Sequence, residues 1–304
     1  MNARHHERLE RARVALDGLS VGDAFGSLFR TMHPEAIAVR VKSRSLPAAP
    51  WYYTDGTSMA LSVYLVLRQC SEIDQDLLAC NLARHFTPAR GYGMGTGRLL
   101  AQVQDGQGWR SLAQQRFGGQ GSYGNGAAVR AVMVGAYFAD DMDQLIENAH
   151  RSAMVTHAHP EAVAGAVAVA AATAVAWQMR GHRPIARAEF IDRVLPYVPA
   201  SAVHRGIIRA WGLAPETPVG RAVAALGNGS HRSAQDTVPF VFWCAGESLN
   251  SYEDALWLAA SGGGDVDSIC AMVGGLTTMF AGAGSIPAVW LKRRERLPDW
   301  PFKE

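Results

Sequence analysis

Asp265, Asp267 and Ser268 follow three consecutive glycines in SGGGDVDS (261–268) and stand directly before the apolar run ICAMVGG. Two carboxylates and a hydroxyl at a helix start are hard oxygen donors of the kind Mg²⁺ or Ca²⁺ takes, not the soft set that zinc or copper prefers. The same residues also serve as helix caps, and this short motif alone leaves both readings open. A second cluster with the same grammar lies in YTDGTSMA (53–60), where Thr54, Asp55 and Thr57 surround Gly56 ahead of the apolar run MALSVYLVL. Two helix starts far apart in sequence can meet across a bundle, and together these clusters suggest a carboxylate-bridged metal site.

The glycine-rich stretch GGQGSYGNGAAVRA (118–131) has a different chemistry. Its glycines free backbone N–H groups to point at an anion, and the helix that follows presents its positive end. Phe117 and Tyr123 offer aromatic faces to a base, while Ser122 and Asn125 offer directional hydrogen bonds, an inventory that suits a nucleotide diphosphate. Plain turns use the same residues. The stretch is neither a P-loop nor a Rossmann fingerprint, because G-x-x-x-x-G-K-[ST] is absent and no strand leads into it. In THAHPEA (156–162), Thr156 or His157 reads as a cap, with Pro160 in the first turn and Glu161 near the positive dipole end. Zinc is not indicated, since no H-E-x-x-H and no cysteine pairing is present.

The elements that must position these groups are helical. HHERLERARVALDGLS, SMALSVYLVLRQC, IDQDLLACNLARHF, GNGAAVRAVMVGAYFA, MDQLIENAHRSAMV and YEDALWLAAS carry apolar residues at three-to-four spacing or in runs too long for strands. HPEAIAVRVKS (33–43) is the one place where a short strand is expected. AVAGAVAVAAATAVAW (162–177) approaches membrane-spanning length, but alanine makes a weak membrane segment and lets neighbouring helices come close, so a buried core helix is expected and no membrane partner. Glycine loops at 90–97, 118–126, 225–230 and 261–268 punctuate the helices where sites are usually built. The pattern predicts an all-α chain in which residues 1–304 form one domain.

A net charge of +2 without a basic stripe gives no indication of nucleic-acid binding. The four cysteines, Cys70, Cys80, Cys244 and Cys270, stand in apolar surroundings without CxxC spacing and are expected to be reduced core thiols of a cytoplasmic protein. The charged amino terminus lacks the apolar stretch of a signal peptide, in keeping with that location.

Taken in order, seven motifs resemble the ADP-ribosylglycohydrolase family, of the dinitrogenase-reductase-activating glycohydrolase type. They are GLSVGDAFG (18–26), YTDGTSMAL (53–61), RGYGMGT (90–96), GSYGNGAAVRA (121–131), THAHPEAVAGA (156–166), DTVPFVFWC (236–244) and GGDVDSICAMVGG (263–275), spread over nearly the whole chain. The resemblance implies a compact orthogonal helical bundle with two Mg²⁺ sites that removes ADP-ribose from a protein side chain or small molecule. It implies metal ligands at Thr54, Asp55, Asp265, Asp267 and Ser268, with Asp55 and Asp267 catalytic. It places ADP-ribose on Ser122, Tyr123, Gly124 and Asn125, with Gly91, Tyr92 and Gly93 near the diphosphate or distal ribose and His157 near the ligand. In that scheme metal-bound water attacks the anomeric carbon while carboxylates take its proton.

Two positions depart from the family pattern. Gly56 stands where T-D-D-T has its second aspartate, and Arg30 falls in the interval after G-D-A-x-G where many members carry an acid. Both weaken metal binding, so one of the two Mg²⁺ sites is expected to be weak or empty. A family member that grips ADP-ribose or a nucleotide without efficient hydrolysis is the alternative to an active hydrolase. A purely structural protein would not need Asp55, Asp265 and Asp267.

Overall fold

A computed structural model describes residues 3–181 and 185–303, and their regular secondary structure is helical. The first half comprises α1 (Ala3–Ser27), α2 (Pro34–Ser43), α3 (Asp55–Cys70), α4 (Gln75–Arg84), α5 (Met94–Gln104), α6 (Trp109–Gln114), α7 (Arg116–Gly119), α8 (Gly126–Tyr137) and α9 (Met142–Met154). The second comprises α10 (Pro160–Gln178), α11 (Arg187–Val194), α12 (Ala202–Gly212), α13 (Val219–Leu226), α14 (Ala234–Glu247), α15 (Tyr252–Ser261), α16 (Val266–Ala281) and α17 (Ala288–Arg293). Among the described residues the only β pairings are two isolated bridges, Trp51 with Arg294 and Gly124 with Ser233. The fold is all-α, and each segment with helical spacing forms its helix.

Two local expectations change. Residues 33–43 form α2 rather than a strand: Pro34 occupies the first turn, Glu35 and the Arg40/Lys42 pair suit the two dipole ends, and Ile37 is its one buried residue. Among the cysteines, Cys244 and Cys270 are buried but Cys70 and Cys80 are exposed, and all four are free thiols. Cys70 ends α3, where the helix leaves the core, and Cys80 lies on the outer face of α4.

Three helices, α8, α10 and α16, are apolar nearly all round and lie inside the bundle. α10 is long and apolar enough to cross a membrane, but 78% of its apolar window is buried against other helices, which makes it a core element here. α1 runs along α16 on a seam of glycines spaced four apart, Gly18, Gly22 and Gly26. A Cβ on Gly22 would lie 2.2 Å from the Cys270 carbonyl oxygen, and one on Gly26 would lie 2.6 Å from that of Val266. Only bare backbone permits this approach. It sets Asp23 of α1 beside the first turn of α16.

The start of α3 is held from outside. Trp51 is fully buried against Phe25 and Trp290, with ring centroids 5.8 and 5.5 Å away. Trp51 N–H donates to the Arg293 carbonyl at 2.6 Å, and Tyr53 N–H donates to Glu295 Oε1 at 3.0 Å. Trp51 and Tyr53 thus anchor the segment that delivers Thr54 and Asp55 to the site.

Candidate active site

Asp23 is fully buried and receives four hydrogen bonds from the opening turn of α3. Thr54 donates its N–H at 2.9 Å and its hydroxyl at 2.6 Å, and Thr57 donates its N–H at 2.9 Å and its hydroxyl at 2.5 Å. Burial pushes the Asp23 carboxyl up, and these donors pull it back toward ionisation. Two backbone N–H groups at the start of α3 are thereby tied to α1, in addition to the ordinary cap in which Thr54 Oγ1 accepts the Gly56 N–H at 3.4 Å.

Around this anchor three more carboxylates, Asp55, Asp265 and Asp267, line one cleft of about 410 Å³. Asp265 occupies the N-cap position of α16, yet its side chain makes no cap bond; Asn125 Nδ2 donates to its Oδ2 at 2.7 Å instead. Asp267 Oδ2 lies 3.2 Å from Arg30 Nη1, while its Oδ1 is buried without a hydrogen-bond partner. Neither aspartate of the D-x-D-S motif is therefore used to cap its helix. Asp55 is pushed up to about 7, first by burial and then by repulsion from Asp23 and Asp265. Asp267 is pushed well above the usual carboxylate range by burial and by Asp265, with the Arg30 guanidinium opposing. Crowded carboxylates of this kind call for a cation.

The other walls are built from loops. The 121–125 loop is pinned to residues 232–234: Asn125 N–H donates to the Arg232 carbonyl at 3.1 Å and Ala234 N–H to the Tyr123 carbonyl at 2.9 Å. Phe117 and Tyr123 stand 5.1 Å apart, and Tyr123 meets His159 edge-on at 5.5 Å. His157 is buried with Nδ1 2.6 Å from Thr156 Oγ1, and its ring lies against Gly124, where a Cβ would stand 3.1 Å from Nε2. Burial, then the Arg130 and Arg116 charges, keep it neutral. The cap of α10 is His159, whose ring accepts the Glu161 N–H at 3.1 Å, which leaves His157 to line the cleft. Arg116 lies on the bare Gly95 at the start of α5, and its buried Nη1 has no hydrogen-bond partner.

A family model for ADP-ribosylglycohydrolase matches residues 4–301. The chain belongs to the ADP-ribosylglycohydrolase family. This family member is 26% identical to the Homo sapiens ADP-ribosylhydrolase ARH3 over 93% of its own length and 88% of the human chain. It is 23% identical to the ADP-ribosylarginine hydrolase Tri1 of Serratia proteamaculans (strain 568), covering 94% of this chain and 76% of that one. A solved structure titled ADP-ribosylglycohydrolase-related protein complex matches the fold with a TM-score of 0.65 at 23% identity, covering 95% and 94% of the two chains.

In this family member, Asp55, Asp265, Asp267 and Ser268 all line the cleft. Gly91 and Gly93 line it, as do the Phe117 and Ser122–Asn125 segment and His157. Two expected contacts are placed elsewhere. Thr54 is buried with its hydroxyl proton committed to Asp23, and it does not line the cleft. Tyr92 packs edge-on against Phe86 at 4.9 Å with its hydroxyl bonded to Ser58 and close to Asp55, and is not among the lining residues. Asp23 and Arg116 were not singled out by sequence. Asp23 sits inside the GDAFG motif, whose glycines signalled a close approach but not its four donors; nothing local marks Arg116.

Gly56 and Arg30 both weaken the fit for a second divalent ion. Gly56 has no side-chain donor, a Cβ there would already lie 3.0 Å from Val129 Cγ1, and Arg30 brings a positive charge to Asp267. One hard ion fits better: the orphaned Asp267 Oδ1 and the crowded Asp55 and Asp265 favour it, with Ser268 beside them. Among the described residues no three His, Cys, Asp or Glu side chains form a cage by themselves.

Proposed function

We propose that this chain binds an ADP-ribosyl conjugate in the cleft and hydrolyses the bond between the distal ribose and the attached group. The observation that carries this reading is what lines the cleft: three carboxylates, and a stretch of glycine-rich loop with Arg116. A diphosphate needs the second and an oxocarbenium-like centre needs the first. The names of the human and Serratia relatives, both hydrolases of ADP-ribosyl bonds, support the same reading.

Each residue then has a task. Arg116 and the backbone around Gly91–Gly95 hold the diphosphate, and Phe117 and Tyr123 face the adenine. Asn125 fixes Asp265 toward the ribose. Asp55 and Asp267 are the catalytic carboxylates, which take the proton of the attacking water. One bound Mg²⁺, held by Asp55, Asp265, Asp267 and Ser268, would orient ribose hydroxyls and acidify water.

The Arg30–Asp267 ion pair favours a second reading, in which the cleft grips ADP-ribose without efficient turnover because a catalytic carboxylate is already neutralised. Release of free ADP-ribose from arginine- and serine-linked peptides, with and without Mg²⁺, separates the two. Release abolished by Asp267→Asn supports the hydrolase. Heat stabilisation by ADP-ribose with no release on either linkage supports the binding module.

A further inference from the structure

A second cavity, of about 530 Å³, lies behind Arg30. Ile37, Ala38 and Val41 of α2 form one wall, and Phe29, Met32 and the glycine strap at 262–264 help to close it. Arg30 lines both this cavity and the carboxylate cleft. The first turn of α16 is shared in the same way, with Val266 facing the second cavity while Asp265 and Asp267 face the first. The Arg30–Asp267 pair is the partition between them, and Arg30 lies on Gly91, where a Cβ would meet its Nη1 at 2.6 Å. The second cavity has no acidic lining residue; its charged side chains are Arg30 and Lys42.

We propose that this second cavity is the acceptor chamber, receiving the group to which ADP-ribose is joined, and that it selects an apolar or acidic acceptor segment over a basic one. The inference rests on the reading of the first cleft as the ADP-ribose site. With the diphosphate toward Arg116 and the distal ribose at the carboxylates, the attached group continues past Arg30, the residue that the two cavities share. There it meets an apolar wall and two cations. An arginine or lysine would lose its hydration beside like charges with no carboxylate to pair with, whereas aliphatic and acidic groups find complementary surroundings.

Calorimetry in EDTA, which holds turnover off, tests this with three probes: free ADP-ribose, a serine-linked ADP-ribosyl peptide flanked by leucine and glutamate, and the same peptide flanked by lysines. The leucine–glutamate peptide is expected to bind about tenfold tighter than the lysine peptide. Ala38→Trp, at an exposed position on α2, fills the chamber and is expected to remove that preference with free ADP-ribose affinity unchanged. Lys42→Glu is expected to reverse it. Equal binding of the two peptides, with both variants silent and ADP-ribose still bound, overturns the acceptor chamber alone. If ADP-ribose binds neither in EDTA nor with Mg²⁺ present, the first cleft has been misassigned and both readings fall.

Discussion

Arg30 Nη1 stands 3.2 Å from Asp267 Oδ2, so a guanidinium supplies positive charge at the edge of the carboxylate cluster formed with Asp55 and Asp265. The side chain is 29% exposed, which leaves the pair accessible to solvent from one side. Arg30→Gln frees Asp267 while keeping a polar side chain on Gly91. The variant is expected to bind Mn²⁺ or Mg²⁺ about tenfold more tightly than the natural chain, an increment in line with one neighbouring unit charge at moderate effective dielectric. Calorimetric titration of both proteins measures it, and equal affinities would show that Arg30 does not compete with the ion.

Asp23→Asn tests the anchor. An amide presents an N–H where the carboxylate accepted one, so at least one of the Thr54 and Thr57 donors loses its partner inside the protein. Stability should fall by about 2–4 kcal/mol, the cost of unpaired buried donors near a disrupted network. Urea denaturation in EDTA reads this without interference from ion binding.

Arg116 carries the cationic wall of the ADP-ribose cleft. Arg116→Ala should weaken ADP-ribose by about 10- to 100-fold, as expected for a charge-assisted hydrogen bond. Adenosine, which has no phosphate, should bind both proteins alike. A parallel loss for adenosine would mean that the substitution has disturbed the Phe117–Tyr123 face instead.

Asp55 predicts a pH dependence with a definite sign. Its folded value of about 7 lies above the usual 3.8, so the folded state holds a proton that the unfolded state has released across that interval. In ion-free buffer its contribution is fully present below pH 4 and is lost as pH rises toward 7, with a slope of up to about 1.4 kcal/mol per pH unit. Asp267, also raised, acts in the same direction. Asp55→Asn should therefore be more stable than the natural chain at pH 8 and little different at pH 4 when chemical denaturation is followed in EDTA. Divalent ion affinity should rise over the same window, because the ion competes with that proton.

Gly22→Ala probes the seam that brings the two halves of the site together. The new Cβ would lie 2.2 Å from the Cys270 carbonyl oxygen, which is backbone and cannot turn aside. A loss of about 3 kcal/mol or more is expected in thermal or urea unfolding, at the upper end of the range for overpacking. Gly284→Ala, where nothing lies within 4 Å of the added carbon, is the matched control.

Helical periodicity, the two oxygen clusters at helix starts and the glycine loops are local properties, and the chain's sequence determined them: α3 begins at Asp55, α16 at Val266, and Ser122–Asn125 line a cleft. Gly56 and Arg30 were legible as departures for the same reason. Side-chain direction was not. The hydroxyl of Thr54 turns to Asp23 and the ring of Tyr92 to Phe86, because each found a partner that spacing along the chain does not specify. The role of Asp23, the position of Arg116 over Gly95 and the placement of Arg30 between two cavities exist only once α1, α3, α5 and α16 are packed. A periodic pattern specifies which face of a helix is buried, but the partner across a contact depends on how closely two backbones approach. Here the bare glycines of α1 permit that approach, and the tertiary structure decided what it brings together.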